Sequence, residues 1–95
     1  MDFNWDEGKN NVNIDKHGFD FIDAHRIFDL PMLVDLDERY DYGEDRWIGI
    51  GILDGRIVVV VYTEPDEATT RIISLRKAIS QERKRYEQYL KNRLV

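Results

Sequence analysis

The stretch RWIGIGILDGRIVVVVY, residues 46–62, decides the fold class. Its first half alternates as a strand does, with one face made of Ile48, Ile50 and Ile52 and the other of Trp47, Gly49, Gly51 and Leu53. Asp54-Gly55 is the strongest short-range signal for a tight hairpin. The β-branched run at residues 57–61 predicts a central strand that is covered on both faces. Residues 46–62 therefore predict two antiparallel strands in the middle of a sheet.

Two further strands are predicted on either side of this hairpin. Residues 32–36 precede it, and residues 37–45 form a charged stretch containing Gly43, which predicts a loop. Pro65-Asp66 predicts the turn that follows the central strand, and residues 69–75 predict the last strand. Together these segments predict a four-stranded antiparallel meander.

Capping residues mark three helices around the sheet. Asp6 predicts the start of a first, mostly polar helix that ends at Gly18. Asp20 predicts the start of a second helix, and Ser80 predicts the start of a C-terminal helix that runs to about Asn92. The second helix has an apolar stripe, made of Phe21, Ala24, Ile27 and Phe28. With a short strand at residues 3–5, these elements predict an α+β fold: one strand, two helices, the meander and a final helix.

The composition indicates one folded domain, residues 1–95. An apolar fraction of 42% with eleven aromatic residues is typical of a globular protein. There is no cysteine, which excludes disulfides and thiolate metal sites and suits a reducing cytoplasm. The longest apolar run, residues 57–62, is far too short to span a membrane. We therefore expect a cytoplasmic protein.

The charge is divided unevenly along the chain. Residues 1–45 carry four Lys/Arg and thirteen Asp/Glu, so 4 − 13 = −9, whereas residues 46–95 carry ten and six, so 10 − 6 = +4. An acidic half and a basic half indicate two surfaces with different partners, although two solvated faces would give the same counts.

Four ordered blocks of residues resemble the BrnT toxins. They are Phe3-x-Trp5-Asp6 with Lys16-His17-Gly18 and Phe21; Val61-Tyr62-Thr63-Glu64; Arg71-Ile72-Ile73-Ser74-x-Arg76-x-Ala78; and Glu82-Arg83-x-x-Tyr86. The resemblance extends from about residue 3 to residue 87. The chain departs from the family pattern at Pro65, where a basic residue is common, at Leu75, where a small residue is usual, and in its net acidity.

The resemblance implies a RelE-like ribonuclease fold and translation arrest through RNA cleavage. It also implies a ribbon-helix-helix antitoxin of the BrnA type, which binds both the toxin and the operator DNA. A dimer of that antitoxin would bring two toxins together in a heterotetramer. Operator DNA would then be contacted only through the antitoxin.

RNA cleavage without a metal needs three things from side chains. The 2′-hydroxyl loses a proton, the leaving 5′-oxygen gains one, and the charge on the phosphorane is stabilised. Arginine suits the last task because its planar fork matches phosphate oxygens. Arg71 and Arg76 are the first candidates, but strict alternation puts them on opposite faces unless Arg76 lies beyond the strand end. Arginines held in salt bridges are the alternative.

Six further residues complete the predicted site. His17 has an ordinary pKa that suits acid-base catalysis, and Lys16 beside it can contact phosphate; a cation stabilised at a helix C-terminus is the alternative for His17. The predicted RNA contacts are Arg46, Arg83, Tyr62 and Tyr86. Packing of an amphipathic helix is the favoured alternative for Arg83 and Tyr86, and a half-buried strand position is the equal alternative for Tyr62. Arg46 lies beside a shallow patch at Gly49 and Gly51, which either receives a base or, as we favour, a packed helix.

The sequence therefore predicts a metal-independent endoribonuclease toxin with no cofactor. A second hypothesis is a non-catalytic module of the same fold, which acts with its antitoxin in transcriptional autoregulation. Nothing in the chain resembles a DNA-reading helix, so on either hypothesis the partner supplies the DNA contacts.

Overall fold

The structure is a computed structural model that describes residues 1–94. These residues form five strands, two α-helices and one 3₁₀ helix. In chain order they are β1 (Asp2–Trp5), α1 (Glu7–His17), the 3₁₀ helix (Phe21–Asp29), β2 (Leu33–Leu36), β3 (Trp47–Leu53), β4 (Arg56–Asp66), β5 (Thr69–Lys77) and α2 (Ser80–Arg93). None of the helices in this part of the chain is long and apolar enough to cross a membrane.

The predicted meander is confirmed. The sheet order is β1-β5-β4-β3-β2, with β2 to β5 antiparallel and β1 added in parallel at the β5 edge. The hairpin turn lies at Asp54 and Gly55, whose φ angles are 51° and 75°. Two successive positive φ angles match the right-handed twist of the flanking strands, which is why Asp-Gly is favoured there.

The turn between β4 and β5 was predicted two residues too early. β4 continues through Pro65 to Asp66, and Asp66 pairs with Thr69. The Asp66 carboxylate accepts hydrogen bonds from the Ala68 N–H and the Thr69 hydroxyl, which closes the turn. Pro65 is tolerated because the register shifts between Thr63 and Asp66, where no ladder donor is required.

Two helix predictions differ from the structure. The second helix begins after the predicted cap Asp20, but it is a 3₁₀ helix whose buried residues are Phe21, Ala24 and Ile27. A spacing of three places these side chains on one face at three residues per turn. The C-terminal helix begins after Ile79 rather than being capped by Ser80, and Glu82 accepts a hydrogen bond from the Ile79 N–H.

The 3₁₀ helix covers one face of the sheet, which we call the closed face. Its buried residues pack on the strand side chains Leu53, Val58, Val60, Tyr62, Ile72 and Leu75. Gly51 permits this approach, because a Cβ there would lie 2.7 Å from the Ile27 Cγ2. Met32 approaches Gly49 in the same way. The shallow patch at the two glycines is therefore filled by the protein itself, as favoured from the sequence, and cannot receive a base.

Helix α2 covers part of the opposite face. Tyr86 packs there with Ile50, Val59 and Ala78, and its hydroxyl donates a hydrogen bond of 2.6 Å to the Pro31 carbonyl. The rest of this face extends beyond α2 toward the start of β3 and the end of β4, and we call it the open half. The second core is therefore smaller than the first.

Helix α1 is held by asparagines rather than by apolar residues. The Asn13 side chain accepts a hydrogen bond from the Leu75 N–H and donates one of 2.8 Å to the Leu75 carbonyl. Asn10 donates to Asp20 and accepts from the Phe21 N–H. Since β1 has ended by this point, Asn13 satisfies backbone groups of β5 that no strand pairs. This explains how a helix whose Val12 is exposed stays attached.

Candidate functional site

An irregularity in β5 arranges the candidate site. Val61 pairs with Ser74, whereas the next residue of β4, Tyr62, pairs with Ile72. Ile73 is therefore an extra residue in β5, which is the definition of a β-bulge. A bulge shifts the alternation of side chains by one residue, so positions on either side of it change their relative faces.

The bulge brings the two predicted arginines of β5 to the same face. Arg71 lies opposite Thr63, and Arg76 lies opposite Val59, which packs under α2. The expectation of opposite faces was wrong because strict alternation assumed an unbroken strand. Arg76 lies within β5 and does not need to lie beyond its end.

A row of five residues, which we call the polar row, crosses the open half. Asn4 pairs with Arg71, Arg71 with Thr63, and Arg46 precedes the pair formed by Trp47 and Tyr62. The Asp37 N–H donates to the Arg46 carbonyl, which adds Asp37 to the end of the row. Thr63 is four residues from Val59 along β4, about 13 Å at roughly 3.3 Å per residue. The row therefore lies beyond the core under α2.

Two polar atoms of this row are buried without a partner. They are the Thr63 hydroxyl oxygen and the Arg46 Nε, and neither has a hydrogen bond among the described residues. Thr63 is only 2% exposed. The Arg46 guanidinium lies 3.9 Å from the centre of the Tyr42 ring. A buried polar group without a partner costs about 1–3 kcal/mol, so two in adjacent positions mark a place that is not optimised for stability.

Asp37 is held by the loop that follows β2. Its carboxylate accepts hydrogen bonds of 2.9 and 3.0 Å from the Arg39 guanidinium and one of 3.1 Å from the Tyr42 hydroxyl. The hydrogen bonds from Arg39, against the opposing effect of burial, lower the pKa of Asp37 to about 2. Asp37 is therefore ionised at neutral pH, and its role here is to fix the loop next to Arg46.

The arginines of β5 differ in how their charge is balanced. Arg76 forms two hydrogen bonds of 2.8 Å with Glu82, which raise the pKa of Arg76 and lower the pKa of Glu82. Arg71 donates one bond of 3.2 Å to the Asn4 side-chain oxygen. Within residues 1–94, no carboxylate forms an ion pair with Arg71. The Arg71 charge is consequently available to an anion from outside.

A groove runs between α1 and β5. Its volume is about 440 Å³, and its lining residues are Asp6, Gly8, Lys9, Val12, Asn13, Lys16, His17, Ile73 and Ser74. Burial, followed by the charges of Lys16 and Arg76, lowers the pKa of His17 from its ordinary 6.5. His17 is therefore neutral at pH 7 and able to accept a proton.

The remaining predicted contacts lie apart from the groove and the polar row. Arg83 folds back and donates a 3.0 Å hydrogen bond to the Ala78 carbonyl. Tyr62 belongs to the closed face and is 5% exposed, with its ring 5.0 Å from that of Phe28. Tyr86 belongs to α2 and is fully buried between that helix and the sheet. Neither tyrosine ring is accessible to a nucleotide base.

Sequence reasoning missed Thr63, Arg39 and Tyr42. A signal for Thr63 was present, since it follows Tyr62 in a matched block and alternation turns it to the opposite face. Arg39 and Tyr42 lie in a loop, where no periodicity predicts orientation. Among residues 1–94, no group of three or more His, Cys, Asp or Glu side chains is arranged to hold a metal ion.

Comparisons with known proteins agree on one family. Residues 5–82 match the family model described as ribonuclease toxin, BrnT, of type II toxin-antitoxin system. The crystal structure of the Brucella abortus ribonuclease toxin BrnT matches with a TM-score of 0.66 and 30% sequence identity, covering 84% of this chain and 99% of that one. A search of curated proteins gives no match.

Proposed function

The chain belongs to the BrnT family of ribonuclease toxins of type II toxin-antitoxin systems, and from that premise we propose that it is an endoribonuclease that acts without a metal ion. The observation that carries the proposal is the polar row. There, Arg71 has no carboxylate partner within residues 1–94 and lies next to two buried polar atoms that lack hydrogen bonds. A phosphate group offers Arg71 an anionic partner and offers these two polar atoms the oxygen acceptors that they do not find within residues 1–94.

The proposed reaction is an internal transfer of the phosphoryl group. The RNA 2′-oxygen attacks the adjacent phosphorus as its proton passes to a base, and the bond from phosphorus to the 5′-oxygen breaks. The 5′-oxygen takes a proton from water, leaving a 2′,3′-cyclic phosphate and a 5′-hydroxyl. Arg71 stabilises the charge on the phosphorane, which is the largest catalytic effect expected of a fixed cation.

His17 and Lys16 serve the proton transfers and the approach of the RNA in this proposal. His17 is the base, because its lowered pKa keeps the ring neutral at pH 7. Lys16 lines the same groove and contacts a neighbouring phosphate. Arg76 influences His17 electrostatically and shares its own charge with Glu82, so its direct contribution is smaller than that of Arg71.

Further RNA contacts in the proposal come from Arg46 and Arg83. Arg46 lies in the polar row, and Arg83 lies in the first turn of α2. Tyr62 and Tyr86 do not contact RNA in this proposal. The ring of Tyr62 is buried on the closed face, and the ring of Tyr86 is buried between α2 and the opposite face.

The proposed partner is a ribbon-helix-helix antitoxin of the BrnA type, in a complex of two toxins and two antitoxins. Its dimer would contact operator DNA, and release of the toxin in the cytoplasm would arrest translation. Support comes from the family, whose systems pair a toxin with an antitoxin, and from the strongly acidic first half of the chain. The mass of the purified complex by light scattering tests the two-to-two composition.

Expression without the antitoxin tests the nuclease. Wild-type protein should arrest growth and degrade RNA, and the purified protein should cleave RNA equally with and without EDTA. Arg71→Ala should reduce cleavage about 10²–10³-fold, as expected when one donor to a developing oxyanion is lost, and Arg76→Ala should reduce it less. Lys77→Ala is the matched control, because Lys77 is an exposed cation on the same strand that faces the other way. Intact RNA with soluble wild-type protein would refute the proposal.

A non-catalytic module remains the second candidate. The net charge of −5 and the neutralisation of Arg76 by Glu82 favour it, because both weaken attraction to RNA phosphates. On this alternative, wild-type protein leaves RNA intact but strengthens operator binding by the antitoxin in a gel-shift assay. Operator binding by the toxin alone would contradict it.

A further inference from the structure

The Thr63 hydroxyl makes no visible contribution to the stability of the fold. It is 2% exposed, and its oxygen has no hydrogen bond among the described residues. Threonine and valine have nearly the same shape, and valine would fill this strand position without a polar atom to satisfy. A neighbouring run of four valines in β4 shows that the same strand accepts valine readily.

The neighbours of Thr63 in the polar row are both arginines. Arg71 pairs with it on one side, and Arg46 lies on the other with its Nε buried and without a partner. The Arg46 guanidinium rests on the Tyr42 ring and forms no ion pair within residues 1–94. Three donors therefore lie at neighbouring positions of one row, from β5, from β4 and from the residue before β3, and two of them have no hydrogen-bond partner within residues 1–94.

We propose that the Thr63 hydroxyl and the Arg46 Nε–H form a phosphate seat, which binds the nonbridging oxygens of the scissile RNA phosphodiester beside Arg71. The seat rests on the proposed function, since it names the residues that hold the substrate of that reaction. A phosphate draws both guanidinium groups toward its oxygens, and their movement uncovers the hydroxyl between them. A phosphate carries several acceptor oxygens, so it can take hydrogen bonds from all three donors at once.

The seat assigns Tyr42 a role as well. Its ring supports the Arg46 guanidinium, and its hydroxyl is bound to Asp37, which Arg39 also holds. Tyr42 is thus a positioning residue that keeps Arg46 at the edge of the seat before RNA arrives. Its loss should raise the RNA concentration needed for half-maximal cleavage more than it lowers the maximal rate.

Thr63→Val tests the seat directly. Single-turnover cleavage of RNA should fall about 10²-fold, as when one oxyanion donor is removed, and Thr63→Ser should keep most of the wild-type rate. The midpoint of urea unfolding should stay unchanged or rise in Thr63→Val, because no hydrogen bond is lost. Thr70→Val is the matched control: Thr70 is also 2% exposed, but its strand position lies on the closed face beside Phe3. It should cleave RNA like the wild type.

Binding of inorganic phosphate separates the seat from the reaction. Phosphate should raise the thermal unfolding midpoint of the wild type and of Thr70→Val, and should raise it much less in Thr63→Val. If wild-type protein does not cleave RNA but shows this pattern, the proposed function fails and the seat stands. If Thr63→Val cleaves RNA as fast as wild type, or loses activity together with a fall in its urea midpoint, the seat is wrong.

Discussion

The closed face and the open half of the sheet share strand β4, and consecutive residues of that strand lie in different surroundings. Tyr62 lies on the closed face among apolar side chains, whereas Thr63 lies in the polar row between two arginines. On the closed face, packing is so tight that a strand glycine is needed to admit Ile27. In the polar row, two buried polar atoms have no hydrogen-bond partner among residues 1–94. The sheet therefore has its larger core on the closed face, whereas the opposite face has a smaller core and, beyond it, the polar row.

The largest expected effect is on the closed face. Tyr62→Ala should lower the free energy of unfolding by about 3–5 kcal/mol, because it leaves a cavity beside Phe28. Tyr62→Phe should change both stability and RNA cleavage little. Burial, followed by the charge of Glu64, raises the pKa of Tyr62 to about 12, so the hydroxyl stays protonated across the working pH range. Urea unfolding and a cleavage assay measure the two quantities, and a large loss of cleavage in a stable Tyr62→Phe variant would break the division between the faces.

Substitution of Asn13 tests whether loss of a hydrogen-bonded polar group lowers stability, in contrast to loss of the Thr63 hydroxyl, which has no partner among residues 1–94. Asn13→Ala should cost about 2–3 kcal/mol of stability, because the Leu75 N–H and carbonyl both lose their partner. Val12→Ala, one residue away and 65% exposed, should change stability by less than about 0.5 kcal/mol. Urea unfolding measures the stability of both variants. Equal stabilities would contradict the conclusion that asparagines hold α1 against the sheet.

The glycines of β3 test how tightly the closed face is packed. Gly51→Ala should cost about 1–3 kcal/mol, because its Cβ would lie 2.7 Å from the Ile27 Cγ2. Gly49→Ala is the matched comparison, since its Cβ meets the flexible end of Met32, and its cost should be smaller. Thermal unfolding ranks the two variants. A Gly49→Ala variant less stable than Gly51→Ala would show that the 3₁₀ helix yields more easily than Met32.

The smallest expected effect concerns the pH dependence of cleavage. Because burial and the charges of Lys16 and Arg76 lower the pKa of His17, cleavage should rise with pH, and the midpoint of this rise should lie below 6.5. Arg76→Ala removes one of these charges, so the rise should move to higher pH, although burial still holds the pKa down. His17→Gln should abolish this part of the profile. A wild-type profile that is flat from pH 4 to 7 would remove His17 from the role of base.

Much of the fold could be predicted because its signals are local. Asp54-Gly55, the alternation in β3 and the valine run each depend on a few adjacent residues, as do the caps at Asp6 and Gly18. The prediction of a turn at Pro65-Asp66 was wrong because the position of this turn depends on strand pairing and not on local sequence. Proline often marks a turn, but here a register shift between two strands lets it remain in β4.

The candidate site was predictable as a set of residues but not as an arrangement. The matched blocks contain Arg71, Arg76, His17 and Thr63, so residue identity alone drew attention to three of them. The bulge at Ile73 reveals itself only through the pairing of β4 with β5, and it decides that both arginines share a face. The same pairing places Tyr62 opposite Ile72, in the core of the closed face.

From the amino-acid sequence alone, the order of elements, the central hairpin, the caps at Asp6, Gly18 and Asp20 and membership of the BrnT family could be predicted, because each depends on short-range sterics or on residue identity. The tertiary structure decided which donors remain unused. Asn13 contacts Leu75, 62 residues further along the chain. Glu82 of α2 forms an ion pair with Arg76, whereas within residues 1–94 Arg71 has no carboxylate partner and donates to the Asn4 amide oxygen. Such pairings follow from which strands and helices meet in space, and that is set by packing of the whole chain rather than by any local pattern.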